Sequence, residues 1–304
     1  MRNLLAPLGL AVLCGCGDGP EPARGPSSEP VSNLTRWSVT FRDGRAEAVP
    51  LAGSRDAGGD LLPIDVKALE AAFTAHGQAG LSVFTITPAA SADAAPVAFV
   101  VAASEEAFQA ELIGSRDGTD GVSVLEDTNA VAVLGSPFVA EFSSLRPLGL
   151  LRINGEQLGA LQPYGYTRVL GFGDQGLGVV GRAAYHRDLF TSAVQVGPGI
   201  VEQGRLDISE RELKLPAYFR TFVARCEGSV VFGVSLRPVH LRHLGEDLLA
   251  GLSTRGLRCD EIVNLSGDRE TLLALRGTDG ATVLGNPRVK KTALLALIPR
   301  TPSR

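Results

Sequence analysis

Between Ala130 and Ile298 the chain repeats one design. Short apolar or alternating runs (Ala130–Leu134, Leu148–Ile153, Leu177–Val180, Ser192–Val196, Thr221–Ala224, Ser229–Ser235, Glu261–Leu265, Leu272–Leu275, Ala293–Ile298) are separated by Gly, Asn and Asp. Runs of this length are strands, and turn residues between them send the chain back antiparallel. Parallel pairing needs a long crossover between strands, usually helical. In this half only Leu241, Leu244, Leu248, Leu249 and Leu252 recur at helical spacing, stopped by Gly256. The expected fold class is therefore α+β, a single domain of mostly antiparallel strands with a few helices. Asn154-Gly155 is a hairpin signal, because both residues tolerate positive φ. Glu227-Gly228 is expected to turn a second hairpin.

The preceding part is less regular. Trp37–Phe41, Leu81–Thr87 and Val97–Ala102 read as strands. Val66, Leu69 and Phe73 predict a helix over Asp65–His76, closed by Gly77, and Ala107–Ile113 is expected to be a short helix. GSRDAGGD (Gly53–Asp60) and GSRDGTDG (Gly114–Gly121) are Asp-rich. Neither has the spacing of a calcium loop with its closing Glu, so both are expected to be solvated turns.

The first residues suit export. A short basic start, Met1-Arg2-Asn3, precedes an apolar stretch, Leu4–Leu13, too short to span a bilayer as a mature helix. It ends in Leu13-Cys14-Gly15-Cys16, which resembles a bacterial lipobox. This implies a signal peptide over 1–15, cleavage before Cys16 and lipidation of its thiol. The partner is then a membrane, reached through the lipid anchor at the bacterial cell envelope. Residues 16–33, rich in Pro, Gly, Ser and Glu, have too little apolar content to fold and read as a flexible tether. The folded domain is expected over 34–304, with 34–129 its less recognisable part.

Composition narrows the chemistry. Hydrophobic residues make up 44% of the chain, enough for a sizeable core, and the net charge is −4. No basic run exceeds Lys290-Lys291, so no nucleic-acid partner is expected. With Cys14 removed and Cys16 acylated, Cys226 and Cys259 remain, either as a disulfide or as two buried thiols. His240 and His243 stand at metal-compatible spacing, but no third ligand is evident. No nucleophile elbow, Walker loop, zinc-binding histidine pair or dinucleotide fingerprint is present. No metal and no cofactor is implied.

Six blocks in the C-terminal part nevertheless occur in a known order: Ala130–Phe138 (AVAVLGSPF), Pro147–Ile153 (PLGLLRI), Val196–Gly204 (VGPGIVEQG), Arg220-Thr221, the Leu-rich segment 241–256, and Glu261–Thr271 (EIVNLSGDRET). In this order the chain resembles the phosphodiester glycosidase family. Two blocks depart from that pattern. Gly135 and Phe138 are kept, but Leu134 replaces an Asn, Ser136 a Gly and Pro137 an aromatic residue. Asn264, Leu265 and Gly267 are kept, but Ser266 replaces an Asp. Asp268, Arg269 and Glu270 stand where Gly, Gly and Ser are expected, followed by Thr271.

The resemblance implies a cleft for a sugar-phosphate or glycan ligand. Cleaving a sugar-1-phosphodiester builds positive charge at the anomeric carbon, which carboxylates stabilise. Arg offers the phosphate a bidentate fork, and Gly-rich turns expose N–H groups. On this basis Asp268, Arg220 and Asn264 are the candidate catalytic residues. Gly135, Ser136, Gly197, Thr221, Ser266 and Gly267 are the candidate ligand-binding residues. Ser266 cannot act as the lost carboxylate. Three readings follow: a hydrolase in which Asp268 or Glu270 substitutes, a glycan-binding cleft with impaired hydrolysis, and a structural surface lipoprotein with no catalytic role.

Overall fold

Among the described residues of the computed structural model every paired strand is antiparallel, as the turn-separated runs require. The structure describes residues 36–40, 46–50, 78–88, 94–136, 138–141, 145–173, 175–277, 280–285 and 290–301. All lie within one unit, Ser32–Arg304. The leader, the 16–33 tether, the segment 53–60 and the helix expected over 65–76 lie outside the described residues.

Among the described residues, three larger sheets carry the fold. A seven-stranded sheet runs in the order β15 (Arg205–Leu206), β14 (Gly199–Glu202), β18 (Cys259–Gly267), β16 (Arg220–Cys226), β17 (Ser229–Ser235), β4 (Ala98–Ser104) and β3 (Leu81–Ile86). A five-stranded sheet runs β20 (Gly280–Gly285), β19 (Leu272–Gly277), β6 (Ala132–Ser136), β21 (Lys291–Pro299), β5 (Phe108–Thr119). Another runs β10 (Glu156–Gly159), β9 (Leu151–Ile153), β13 (Ser192–Val196), β11 (Arg168–Gly173), β12 (Gly176–Gly181). Two small pairs remain, β1 (Arg36–Thr40) with β2 (Ala46–Pro50), and β7 (Val139–Glu141) with β8 (Arg146–Pro147).

Alternation along the strands decides where the core sits. One face of each larger sheet contributes to a shared interior that includes Phe99, Leu134, Leu170, Val223, Phe232, Leu265 and Leu295. The opposite face of the seven-stranded sheet is covered by the helix Leu241–Thr254. Its Leu241, Leu244, Leu248 and Leu252 pack with Phe222, Val231 and Ile262. The Leu spacing seen in the sequence is this buried stripe. The helix ends before Gly256, at φ 77. Asn154 (φ 49) and Gly155 (φ 86) form the turn between β9 and β10, both in the left-handed region that the hairpin demands.

Two expectations fail. Ala107–Ile113 is not a helix but part of β5. There Phe108, Ala110 and Leu112 alternate inward, and the strand pairs with β21 from Pro299 to Lys291. Period two wins because a central partner strand is available. The second Asp-rich segment is not a solvated turn either: Gly114–Thr119 prolongs β5. Asp120 then caps a short helix, Gly121–Asp127, accepting hydrogen bonds from the N–H groups of Val122 (3.0 Å) and Ser123 (2.9 Å). Among the described residues no helix is long and apolar enough to cross a membrane.

Cys226 and Cys259 face each other across β16 and β18, joined as a disulfide with a Cα separation of 3.7 Å. Both are buried beneath the long helix. The bond closes a 33-residue separation. Replacing both by Ser is expected to cost about 2–4 kcal/mol, read by urea denaturation. An unchanged midpoint would show that the cross-link does not restrain the unfolded chain.

Candidate functional site

The site begins with a bulge. Thr221 pairs with Ser266 but Phe222 pairs with Asn264, so Leu265 is an extra residue on β18. A bulge re-aims the side chains that follow it. Ser266 thereby faces the five-stranded sheet, its buried hydroxyl 3.3 Å from the carbonyls of both Gly135 and Glu270. Those contacts tie β18, β6 and the 3-10 turn Asp268–Glu270 together. Gly135 has to be Gly here, since a Cβ would stand 2.8 Å from the Glu270 carbonyl oxygen. Gly267 is crowded too: a Cβ there would lie 2.5 Å from the Phe219 carbonyl oxygen.

The predicted residues split between the two faces of the seven-stranded sheet. Thr221 and Ser266 are cross-strand partners on the inner face. Arg220 and Asn264 take the other face: Arg220 stands two residues before Phe222 on the same strand, and Asn264 is the cross-strand partner of Phe222. Asn264 is buried and donates through Nδ2 to the Gly197 carbonyl (3.1 Å), next to the cis Gly197-Pro198 bond. That contact joins β18 to the β13–β14 connection, while Asn264 Oδ1 is buried with no partner among the described residues.

Arg220 is held by a residue the sequence did not flag. Glu212, buried on the 3-10 turn Glu210–Lys214, lies 3.7 Å from the guanidinium. It also accepts from the N–H groups of Leu241 (2.8 Å) and Arg242 (3.2 Å), satisfying orphan donors at the start of the long helix. Arg220 packs over the Tyr218 ring at 5.2 Å. Burial lowers its pKa, while Glu212, Tyr218 and Asp268 pull it back up. Asp268 is therefore close enough to Arg220 for their charges to interact, but its side chain is exposed. Its φ of 54 is the left-handed conformation that favours Gly.

Glu270 behaves differently from Asp268. It is 5% exposed and paired with Lys291, which is fully buried at the start of β21. Its other oxygen lies 3.5 Å from the Val139 N–H. Burial lowers the Lys291 pKa, and Glu270 opposes that shift. In the sequence Lys291 is marked only by its place just ahead of the Ala293–Ile298 run, and nothing local marks Glu212. His240 lies 4.0 Å from Glu212 and 5.8 Å, ring to ring, from His243. No group of three potential metal ligands occurs among the described residues.

A cleft of roughly 580 Å³ is lined by Arg146, Leu148, Gln162, Tyr164 and Tyr166 among others. Tyr164 is 74% exposed, and Tyr166 stacks on Phe138, ring centroids 5.2 Å apart. The pKa of Tyr166 is raised to about 12, first by burial and then by the charge of Glu270. The phenol thus links the cleft electrostatically to the buried pair. Between pH about 10 and 12 an unfolded Tyr has lost its proton while native Tyr166 keeps it, so its contribution to stability falls as pH rises through that window. An absorbance titration at alkaline pH is expected to show one late phenol that disappears in Tyr166→Phe. A titration unchanged by that substitution would contradict the assignment.

Comparison with known proteins yields a likeness of fold. No family model matches the sequence, and no curated protein matches it. Among solved structures, the catalytic domain of zebrafish N-acetylglucosamine-1-phosphodiester α-N-acetylglucosaminidase, auto-inhibited by its pro-peptide, superposes with a TM-score of 0.54 at 12% identity. The match covers 74% of this chain and 85% of that one. A hypothetical protein from Synechocystis gives a TM-score of 0.49 at 12% identity, covering 74% of this chain and 63% of that one. At this identity the zebrafish match shows a likeness of fold alone.

Proposed function

We propose that the protein is a lipid-anchored, saccharide-binding member of the cell envelope, built on a phosphodiester-glycosidase-like fold and not hydrolysing its ligand. The observation that carries this reading is the cleft lined by Tyr164 and Tyr166. It offers an exposed aromatic ring, Tyr164, a second ring, Tyr166, and polar groups from Arg146 and Gln162. An aromatic face gives the C–H face of a pyranose a large apolar contact, and a few polar groups fix its orientation. The arrangement of carboxylates speaks against hydrolysis. Position 266 carries a buried Ser bonded to backbone, Glu270 is committed to Lys291, and Asp268 is exposed beside Arg220.

A panel of neutral and phosphorylated saccharides tests the reading, with affinity measured by calorimetry. The expected result is binding weakened at least about tenfold by Tyr164→Ala, with no turnover of an N-acetylglucosamine-1-phosphodiester. An empty panel removes the binding reading. Turnover that collapses in Asp268→Ala replaces it with the hydrolase. The anchor rests on Leu13-Cys14-Gly15-Cys16 and is tested separately, by incorporation of labelled fatty acid that is lost in Cys16→Ala.

A further inference from the structure

Two donors from distant parts of the chain converge on the Glu270 carboxylate: the Lys291 ammonium and the Val139 N–H. Lys291 is fully buried, and a buried ammonium is tenable only beside an anion. We propose that Lys291 and the Val139 amide form an oxyanion-binding nest, and that the chain fills this nest with its own Glu270. Three features support this. The filling residue comes from a short turn, held through the Asp268 N–H on the Phe219 carbonyl and the Ser266 hydroxyl beside the Glu270 carbonyl, rather than from a facing strand. The donors belong to the scaffold, one from β21 and one from the first residue of β7. The neighbouring hydroxyls of Ser136 and Thr271 are buried with no partner among the described residues, which makes the surroundings polar rather than sealed by apolar packing.

The nest is joined to the cleft wall through the chain itself: Val139, one of its donors, follows Phe138, whose ring stacks on Tyr166 with centroids 5.2 Å apart. A small carboxylate or phosphate entering from that side meets Glu270 already in place and is repelled by it. The site is thus an anion site in its donors and a closed one in its natural state. This inference does not depend on saccharide binding.

Chemical rescue tests it, with formate as the probe because it matches the carboxylate removed. The full chain carrying Glu270→Ala is melted in rising sodium formate, with sodium chloride at equal ionic strength as the reference. The expected result is a lowered melting temperature that formate, and not chloride, raises saturably. The wild type and the double variant Glu270→Ala/Lys291→Met are expected not to respond. An equal formate response in the double variant, or none in Glu270→Ala, overturns the proposal. If Glu270→Ala does not fold unaided, its refolding yield from denaturant is read instead. A yield that rises with formate supports the nest, and one indifferent to formate overturns it.

Discussion

Replacing Lys291 by Met is expected to destabilise the protein by about 3–5 kcal/mol, because it strands a buried carboxylate. Glu270 is 5% exposed, and its remaining described donor is the Val139 N–H at 3.5 Å. For a domain of this size the melting temperature should fall by roughly 10 °C. The informative comparison is the double variant Lys291→Met/Glu270→Gln. It removes both charges and leaves similar volumes, so it should recover most of the loss. The asymmetry between single and double variants is the signature of a desolvated ion pair. If the single variant costs less than about 1 kcal/mol, the pair behaves like a solvated surface bridge, and the burial of Lys291 is wrong.

Phe222→Ala is expected to cost a similar amount, about 3–5 kcal/mol, for a different reason. Phe222 is fully buried between the seven-stranded sheet and the long helix. Its ring occupies the space above Gly233, where a Cβ would come within 2.2 Å of the ring. Truncation leaves a cavity that the paired strands on either side of Phe222 hold open. Phe222→Leu keeps most of the volume and should cost under about 1.5 kcal/mol. Because Phe222 is the cross-strand partner of Asn264, the large truncation should also loosen the Asn264–Gly197 contact. Urea unfolding checks the energy. Amide exchange at Asn264, whose N–H is held by the Pro198 carbonyl, checks the loosening.

The strands were legible because their patterning is local. Thr221–Ala224, Ser229–Ser235 and the Leu-rich helix follow from period and turn residues alone. The segment 107–121 was not legible. Phe108, Ala110 and Leu112 do alternate, but Gly114 and the Asp residues that follow look like an exit from structure. What keeps them extended is β21, which lies far along the sequence. The site was legible only in part. Ser266, Gly135 and Arg220 stand at structured, crowded positions, and Asp268 takes a left-handed φ of 54. The sequence could not show that Glu270 is taken by Lys291, or that Glu212 holds Arg220. Each pairing spans a turn and joins elements whose adjacency is set by the sheets. Arg220 and Asn264 also lie on a different sheet face from Ser266, which block order along the chain does not encode.

The placement of β21 has a consequence for how the protein is made. This strand, Lys291–Pro299, lies between β6 and β5, so it completes the middle of its sheet and not an edge. Its arrival also delivers Lys291 to Glu270. A nascent chain that stops short of it presents two apolar strand edges with nothing between them. Contacts of such long sequence separation pay their loop entropy before they return any stabilisation, which slows folding. Closure of the interior must therefore wait until almost the whole described sequence has been synthesised, and the half-made protein is the species most exposed to aggregation and to chaperones.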